Sequence, residues 1–374
     1  MRHKAIIGTG FGDEGKGLFI DYLCRNAERP LVIRFSGGQQ AGHTVVHNGI
    51  RHVFSNFGSG SLQGAPSYFA RFCTVDPVGI VNELEVLLEK GVEPLLSIDA
   101  ECPVTTPYDI RYNQQHHPHG SCGVGVGATV NREEHFYSLT FADLFYPWVL
   151  ETRLELIKDF YQGYADYADV DPEDFLQCCS VIVRSPWVRM SRGLPQPQGR
   201  PFSDYIYEGS QGLLLDQHFG FFPYVTRAHT GTKNILSFCG DEKPEIYLIT
   251  RAYQTRHGDG PMTNEVLPHN IQVNQQETNI HNRFQGEFRR SLLDLSLLEY
   301  AVQRDSLIAD DPAKCLVITC LDHISDEYRF TLQGQIVSCD GEDDFVKRIA
   351  EHLRIRTVYT SNSDDSAHVT RRVL

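Results

Sequence analysis

The chain has 374 residues, 41% hydrophobic and 22% charged, a balance that excludes a disordered chain and leaves room for a large core. A formal net charge of -14 excludes a nucleic-acid coat or an anionic-membrane surface, because both need clustered positive charge; any anionic ligand must be captured locally. Ten cysteines without a C-x-x-C pair read as reduced core cysteines, not as a zinc cluster or redox motif. The start, MRHKAIIGTG, reaches a glycine turn too soon for a signal peptide, and no run approaches the ~18 apolar residues of a membrane span, so a cytoplasmic protein is expected.

In chain order, residues 4–8 read as a buried strand, the glycines after them as a turn, and Leu18 to Arg25 as the start of a helix. PLVIRFSGG over 30–38 gives a second strand. Leu84, Leu87 and Leu88 share one helical face in VNELEVLLEKGVE, with Gly91 as the stop. Leu154, Ile157 and Tyr161 mark another helix, and RGLPQPQGRP over 192–201 is too rich in Pro and Gly to be anything but a loop. DYIYEGSQG, EIYLITRAY, CLVITCLDH and RTVYTSN carry strand-length apolar runs, and EYRFTLQGQIVSC over 327–339 reads as an antiparallel hairpin turning at Gly334. The pattern predicts an α/β fold: one domain over 1–374, with a large, mostly parallel central sheet flanked by helices, P-loop-NTPase-like in layout, with small antiparallel additions. Helical and loop decorations fall over 110–205.

The chemistry concentrates where strands run into glycines. In GFGDEGKG, Gly10 to Lys16 has the spacing of a phosphate loop, and the amides of Gly10, Gly12, Gly15 and Gly17 beside Lys16 form an anion site at a helix N-terminus. Gly17 stands where a nucleoside triphosphatase loop has a Ser or Thr for Mg²⁺, and Asp13 and Glu14 are acids where phosphate would bind. In FSGGQQAGHTVVHNG, His43 sits among glycine turns, able to donate a proton to an oxygen developing charge or to be a plain surface histidine. Glycines 120, 123, 125 and 127 allow close backbone approach to a ligand or a loose loop. In YEGSQGLLLDQHFGFFPYVT, Gln211 and Thr226 can hydrogen-bond a base and a phosphate. Arg289 and Arg290 form a basic pair suited to carboxylates or an exposed surface pair, and Asp322 can accept from N1–H and N2–H₂ of a guanine.

Taken together and in this order, GDEGKG, GGQQAGHT, EGSQGLLLD, PYVT and TRHGDGP resemble the adenylosuccinate synthetases, from about residue 5 to about residue 362. The resemblance implies a ligase that uses GTP to phosphorylate the 6-oxygen of IMP and then lets the amino group of aspartate displace the phosphate. It implies a catalytic set of Asp13, His43, Lys16 and Gln211. Asp13 would take the N1 proton of the purine and, with the Gly42 carbonyl, hold Mg²⁺, whose charge removes the repulsion between acid and phosphate. His43 would serve the oxygen receiving the phosphoryl group. Gly12, Gly15 and Gly17 with Lys16 would hold the transferred phosphoryl, Gln211 would read the purine, Thr226 would bind its 5'-phosphate, and Asp322 would read guanine. Arg289 and Arg290 would hold the carboxylates of the amine donor. A homodimer is also implied.

The departures are specific. Gln40 stands at the family's Asn beside the purine, one methylene longer. The loop GSCGVGVGA has Ser121 and Cys122 at the family's threonines and Val124 at its arginine, which weakens phosphate contacts there. No arginine aligns with the one that the family sends across its dimer interface to the nucleotide phosphate; Arg132 is nearby but unaligned. Glu287 intrudes beside Arg289 and Arg290, and TCLD replaces TKLD, so a lysine over the base is lost and GTP is favoured over ATP by Asp322 alone. Two other readings follow: a divergent ligase on the same scaffold, using dGMP or GMP as 2-aminoadenylosuccinate synthetases do, another amine donor, or ATP; and a non-catalytic nucleotide-binding regulator. The intact Asp13, Lys16, His43 and Gln211 favour the ligase.

Overall fold

Apolar runs become strands where both faces can be covered. The computed structural model describes residues 1–116, 121–164, 166–167, 169–197, 199–272, 277 and 283–374. The first half carries β1 (Arg2–Gly8), β2 (Pro30–Arg34), β3 (His43–His47), β4 (Ile50–Phe54), β5 (Ser67–Phe69), β6 (Leu96–Asp99) and β7 (Val188–Ser191). The second carries β8 (Asp204–Gly212), β9 (Glu245–Arg251), β10 (Tyr253–His257), β11 (Phe288–Asp294), β12 (Cys315–Thr319), β13 (Arg329–Leu332), β14 (Gln335–Ser338), β15 (Thr357–Thr360) and β16 (Thr370–Val373). The main sheet has the order β16-β15-β12-β9-β1-β8-β2-β5-β6-β7 and is parallel throughout except for the β15/β16 edge pair.

Strand alternation sorts the core. Ile7, Ile33, Leu248 and Ile318 pack on one face of the sheet, while Ile6, Val32, Ile249 and Val317 pack on the other against Phe19 and Ile20 of α1 (Lys16–Arg25). A third cluster lies under α2 (Pro77–Glu89), fed by Leu154, Ile157 and Tyr161 of the helix Pro147–Tyr161, as their spacing predicts. Leu88 is corrected: Ile80, Val81, Leu84 and Leu87 form the buried stripe of α2, and Leu88 turns outward at 38% exposure.

Two departures from the expected elements matter for the site. The stretch read as a glycine loop before His43 instead runs into a hairpin, β3 with β4, and His43 is its first residue. EIYLITRAY is not one strand. It leaves the main sheet at Arg251 and re-enters as β10 in a second sheet of order β10-β11-β13-β14, whose β13/β14 hairpin turns at Gln333 and Gly334 as expected. Among the described residues, no helix is long and apolar enough to cross a membrane.

Candidate active site

A cavity of about 370 Å³ opens at the carboxyl ends of the central strands, the usual ligand position in open parallel sheets. Asp13, Lys16, Gly42, His43, Gln40, Gln211, Cys122 and Asp322 all line it, so residues from the whole length of the chain converge there.

The turn from β1 to α1 folds around its own acid. Glu14 is buried; its Oε1 accepts the N–H groups of Gly10 and Gly12, each at 3.0 Å, and its Oε2 takes the Lys16 ammonium at 2.7 Å. The expectation that Gly10 and Gly12 offer free amides to phosphate is therefore corrected, because both donors are used. The anion-facing end lies at Gly15, Lys16 and Gly17, at the start of α1, where the helix dipole and amides favour negative charge. Two glycines make room: Gly8 and Gly212 are register partners, and a Cβ on them would lie 2.4 Å from Glu14 Oε2 and 2.1 Å from the Gly10 carbonyl.

Asp13 holds the left-handed conformation at φ 59°, which Asp tolerates better than most residues. Its backbone carbonyl accepts Arg251 Nε, which fixes the turn. Burial pushes the Asp13 carboxyl above its ordinary range, against the opposing charges of Arg251 and Lys16. A carboxylate so incompletely compensated, with Gly42 on the same cavity wall, suits a divalent cation. Among the described residues no cluster of acidic, His or Cys side chains could hold a metal alone, and Mg²⁺ commonly takes one or two carboxylates and completes its shell with water and phosphate oxygens.

Opposite stands a dyad that sequence reading missed. The His43 Nδ1 meets Glu208 Oε1 in a short contact, and Glu208 also accepts the Ser59 hydroxyl and the Ser59 N–H at 3.1 Å. Burial pushes the Glu208 carboxyl up, but the hydrogen bond and charge of His43, with Arg34 and Ser59, hold it down at about 2. Burial lowers His43 in turn, against Glu208. With Nδ1 so committed, Nε2 is buried with no protein partner among the described residues. Gly17 permits this approach, since a Cβ there would sit 2.8 Å from His43 Cβ.

Gln40 is equally unsatisfied. Both polar atoms of the Gln40 side chain are buried without a partner among the described residues, and buried polar groups are rarely left so unless a ligand or water completes them. Gln211 approaches from β8, and a Cβ on Gly12 would lie 2.7 Å from its Oε1.

Strand geometry separates Arg289 from Arg290. In β10/β11, His257 pairs with Phe288, Thr255 with Arg290 and Arg256 with Arg289; successive side chains alternate in face. Thr255 donates to the Gly12 carbonyl at 3.0 Å, so its face, shared by His257, Phe288 and Arg290, looks toward the β1–α1 turn. Arg289 looks away, and its guanidinium grips the carbonyls of Gly258 (3.0 and 2.6 Å) and Gly260 (2.8 Å) and the Glu265 carboxylate (2.7 Å). The expectation that Arg289 holds a donor carboxylate is corrected on this ground. Arg290 instead lies over the Phe288 ring at 5.2 Å.

Other expected residues stay off the cavity wall. Ser121 exchanges hydrogen bonds with Asn113 at 2.9 and 3.0 Å, and the Thr226 N–H goes to the Leu215 carbonyl at 2.8 Å. Arg132 cannot cross any interface: it is fully buried, paired with Asp109 at 2.9 Å and donating to the carbonyls of Val104 and Tyr137. Gly120 lies outside the described residues. Besides Glu208, the sequence reading passed over Arg251 and His257, both on the cavity wall. A charged residue inside an apolar run was the available signal for Glu208 and Arg251.

A nucleotide-sized cavity at a switch between parallel strands, with a helix N-terminus, a lysine, an acid and an oriented imidazole, defines a phosphoryl-transferring α/β enzyme. The family model for adenylosuccinate synthetase matches residues 5–364, and the chain belongs to the adenylosuccinate synthetase family. It is thus a carbon–nitrogen ligase of purine biosynthesis that binds GTP; the family's reaction is 6-phosphorylation of IMP followed by displacement by aspartate. The chain is 27% identical over 352 residues to adenylosuccinate synthetase 1 of Photorhabdus laumondii, covering 90% of this chain and 83% of that one. In fold it is similar to the fully ligated adenylosuccinate synthetase of Plasmodium falciparum, with a TM-score of 0.74 at 17% identity over 98% of both chains. It is also similar to the succinoaminodeoxyadenylate synthetase of cyanophage S-2L, with a TM-score of 0.63 at 14% identity over 99% of this chain and 95% of that one.

Proposed function

We propose that this cavity phosphorylates the 6-oxygen of IMP from GTP and then exchanges the phosphate for the amino group of aspartate. The observation that carries the reading is the His43–Glu208 dyad with its open Nε2 on the same cavity wall as Asp13 and the Lys16 end of α1. Asp13 takes the proton from purine N1, which makes O6 nucleophilic. His43, held through Nδ1 by the ionised Glu208, acts as the imidazolium and donates its Nε2–H to the oxygen that carries the developing charge. Gly15, Lys16 and Gly17 hold the transferred phosphoryl, and Gln40 and Gln211 hold the base. Asp13 and the Gly42 carbonyl would hold Mg²⁺, which when bound neutralises charge on the phosphate oxygens. Asp322 reads the guanine of GTP, and Arg290 takes a donor carboxylate.

The test is phosphate release with GTP or ATP crossed against IMP, GMP and dGMP, with and without aspartate. Turnover is expected with GTP, IMP and aspartate together. Release only with GMP or dGMP would replace the base assignment, and binding without any release would leave a regulator.

A further inference from the structure

We propose that His257 is the base that deprotonates the amine donor, an assignment that rests on the ligase reading above. The donor arrives as an ammonium ion, which has no lone pair for attack, so a group in the cavity must accept a proton before the C–N bond can form. Asp13 has by then received the N1 proton, and His43 is committed through Glu208 to the phosphorylated oxygen.

The remaining groups on the wall are mostly engaged. Glu14 is closed on Lys16, Glu277 on Arg251 at 2.9 Å, Asp364 on Arg51 at 3.0 Å, and the His323 Nδ1 on the Tyr253 hydroxyl at 2.7 Å. Asp322 sits partly exposed, facing His323. The Nε2 of His257 is buried and has no partner among the described residues. An orphaned buried nitrogen of this kind is costly and calls for a ligand or a water.

The surroundings of His257 hold it in one place and bring the donor to it. Its ring stands edge-on to Phe288, with centroids 5.8 Å apart, and Arg290 lies over the same Phe288 ring. Arg290 and His257 share one face of the β10/β11 pair, so a carboxylate taken by Arg290 would put the donor on the same side of these strands as the imidazole. Behind the strand, Arg289 grips the carbonyl of Gly258, whose N–H donates to the Glu287 carbonyl at 2.9 Å, so the backbone next to His257 is braced from both sides. In the step itself, the C6–N bond forms and the C6–O bond to the phosphoryl group breaks, its electron pair leaving with phosphate. The ammonium loses two protons; His257 Nε2 takes one and the departing phosphate takes the other.

The experiment separates the two half-reactions. Positional isotope exchange in GTP with IMP and no aspartate reports phosphorylation alone, and steady-state ligation with aspartate reports both halves. His257→Gln and His257→Asn are expected to keep the exchange and the KM for aspartate while kcat for ligation falls about 100-fold or more, the scale of a lost general base. An unchanged kcat, a rise confined to the aspartate KM, or loss of exchange in both variants would each overturn the assignment. Absence of exchange in the unsubstituted protein with any purine nucleotide would overturn the ligase reading and this inference with it.

Discussion

Arg289 and Arg290 are neighbours in the chain and lie on opposite faces of the same strand, one braced against the carbonyls of Gly258 and Gly260, the other stacked on Phe288 beside His257. Their substitutions should therefore separate. Arg290→Ala should raise the KM for aspartate about 10-fold or more, the worth of a charge-assisted contact, with isotope exchange intact. Arg289→Ala should instead cost about 1–3 kcal/mol in urea unfolding, by leaving buried carbonyls unsatisfied. Equal rises in the aspartate KM for both would show that the two arginines act as one clamp, against the strand geometry.

Glu14 makes the β1–α1 turn a closed unit, since its carboxylate is the anion that the Gly10 and Gly12 amides and the Lys16 ammonium surround. Removing one member of a buried ion pair leaves the other charge uncompensated, so Glu14→Ala should destabilise the ligand-free protein by about 3–5 kcal/mol. Gly8→Ala attacks the same contact from the neighbouring strand, because its Cβ would meet Glu14 Oε2 at 2.4 Å. It should cost about 1–3 kcal/mol by overpacking. Denaturant titration checks both, and a Glu14→Ala protein as stable as its parent would show that water replaces the carboxylate without loss.

Glu208 orients His43, so Glu208→Gln should lower kcat by about 100-fold or more while leaving nucleotide binding largely unchanged. It also has a signature in stability. The folded carboxyl is held at about 2 against an ordinary 4.5, so it contributes stability that is present above about pH 4.5 and is lost as pH falls toward about 2. The unfolding free energy of the unsubstituted protein should therefore drop across that window, and the Glu208→Gln protein should show a shallower drop. Parallel acid titrations would sink the assignment of Glu208 as an ionised partner.

The fold was legible wherever an apolar run met a glycine turn. β1, β8, β9 and β12 were readable because strands buried on both faces leave continuous runs such as AII, YIY and LVI. The break at Ala252 was not readable, since the chain is extended and buried on both sides of it and ITRAYQT has no turn residue to mark the change of sheet. The local half of the candidate site was legible too, because Asp13, Lys16 and His43 sit in glycine-rich turns after strands, where open parallel sheets bind ligands. Partnership across the chain was not. Nothing in EGSQG says that Glu208 meets His43 165 positions earlier, and two adjacent arginines look like a clamp until the strand period puts them on opposite faces.

Asp13 carries a cost that its function requires. Burial raises its carboxyl above the ordinary value, so the folded protein binds that proton more tightly than the unfolded chain does. Stability at this site is therefore greatest at low pH, and the charge costs stability once the pH passes the folded value. Asparagine keeps the shape and tolerates the left-handed conformation at φ 59°, while removing the charge. Asp13→Asn should thus abolish turnover and isotope exchange yet raise the unfolding temperature of the nucleotide-free, chelator-treated protein at neutral pH. The gain should shrink as the pH is lowered through the carboxylate range, where the parent acid is itself protonated. A lower unfolding temperature at neutral pH would mean that attraction to Arg251 and Lys16 outweighs burial. Preserved turnover would mean that another group takes the N1 proton.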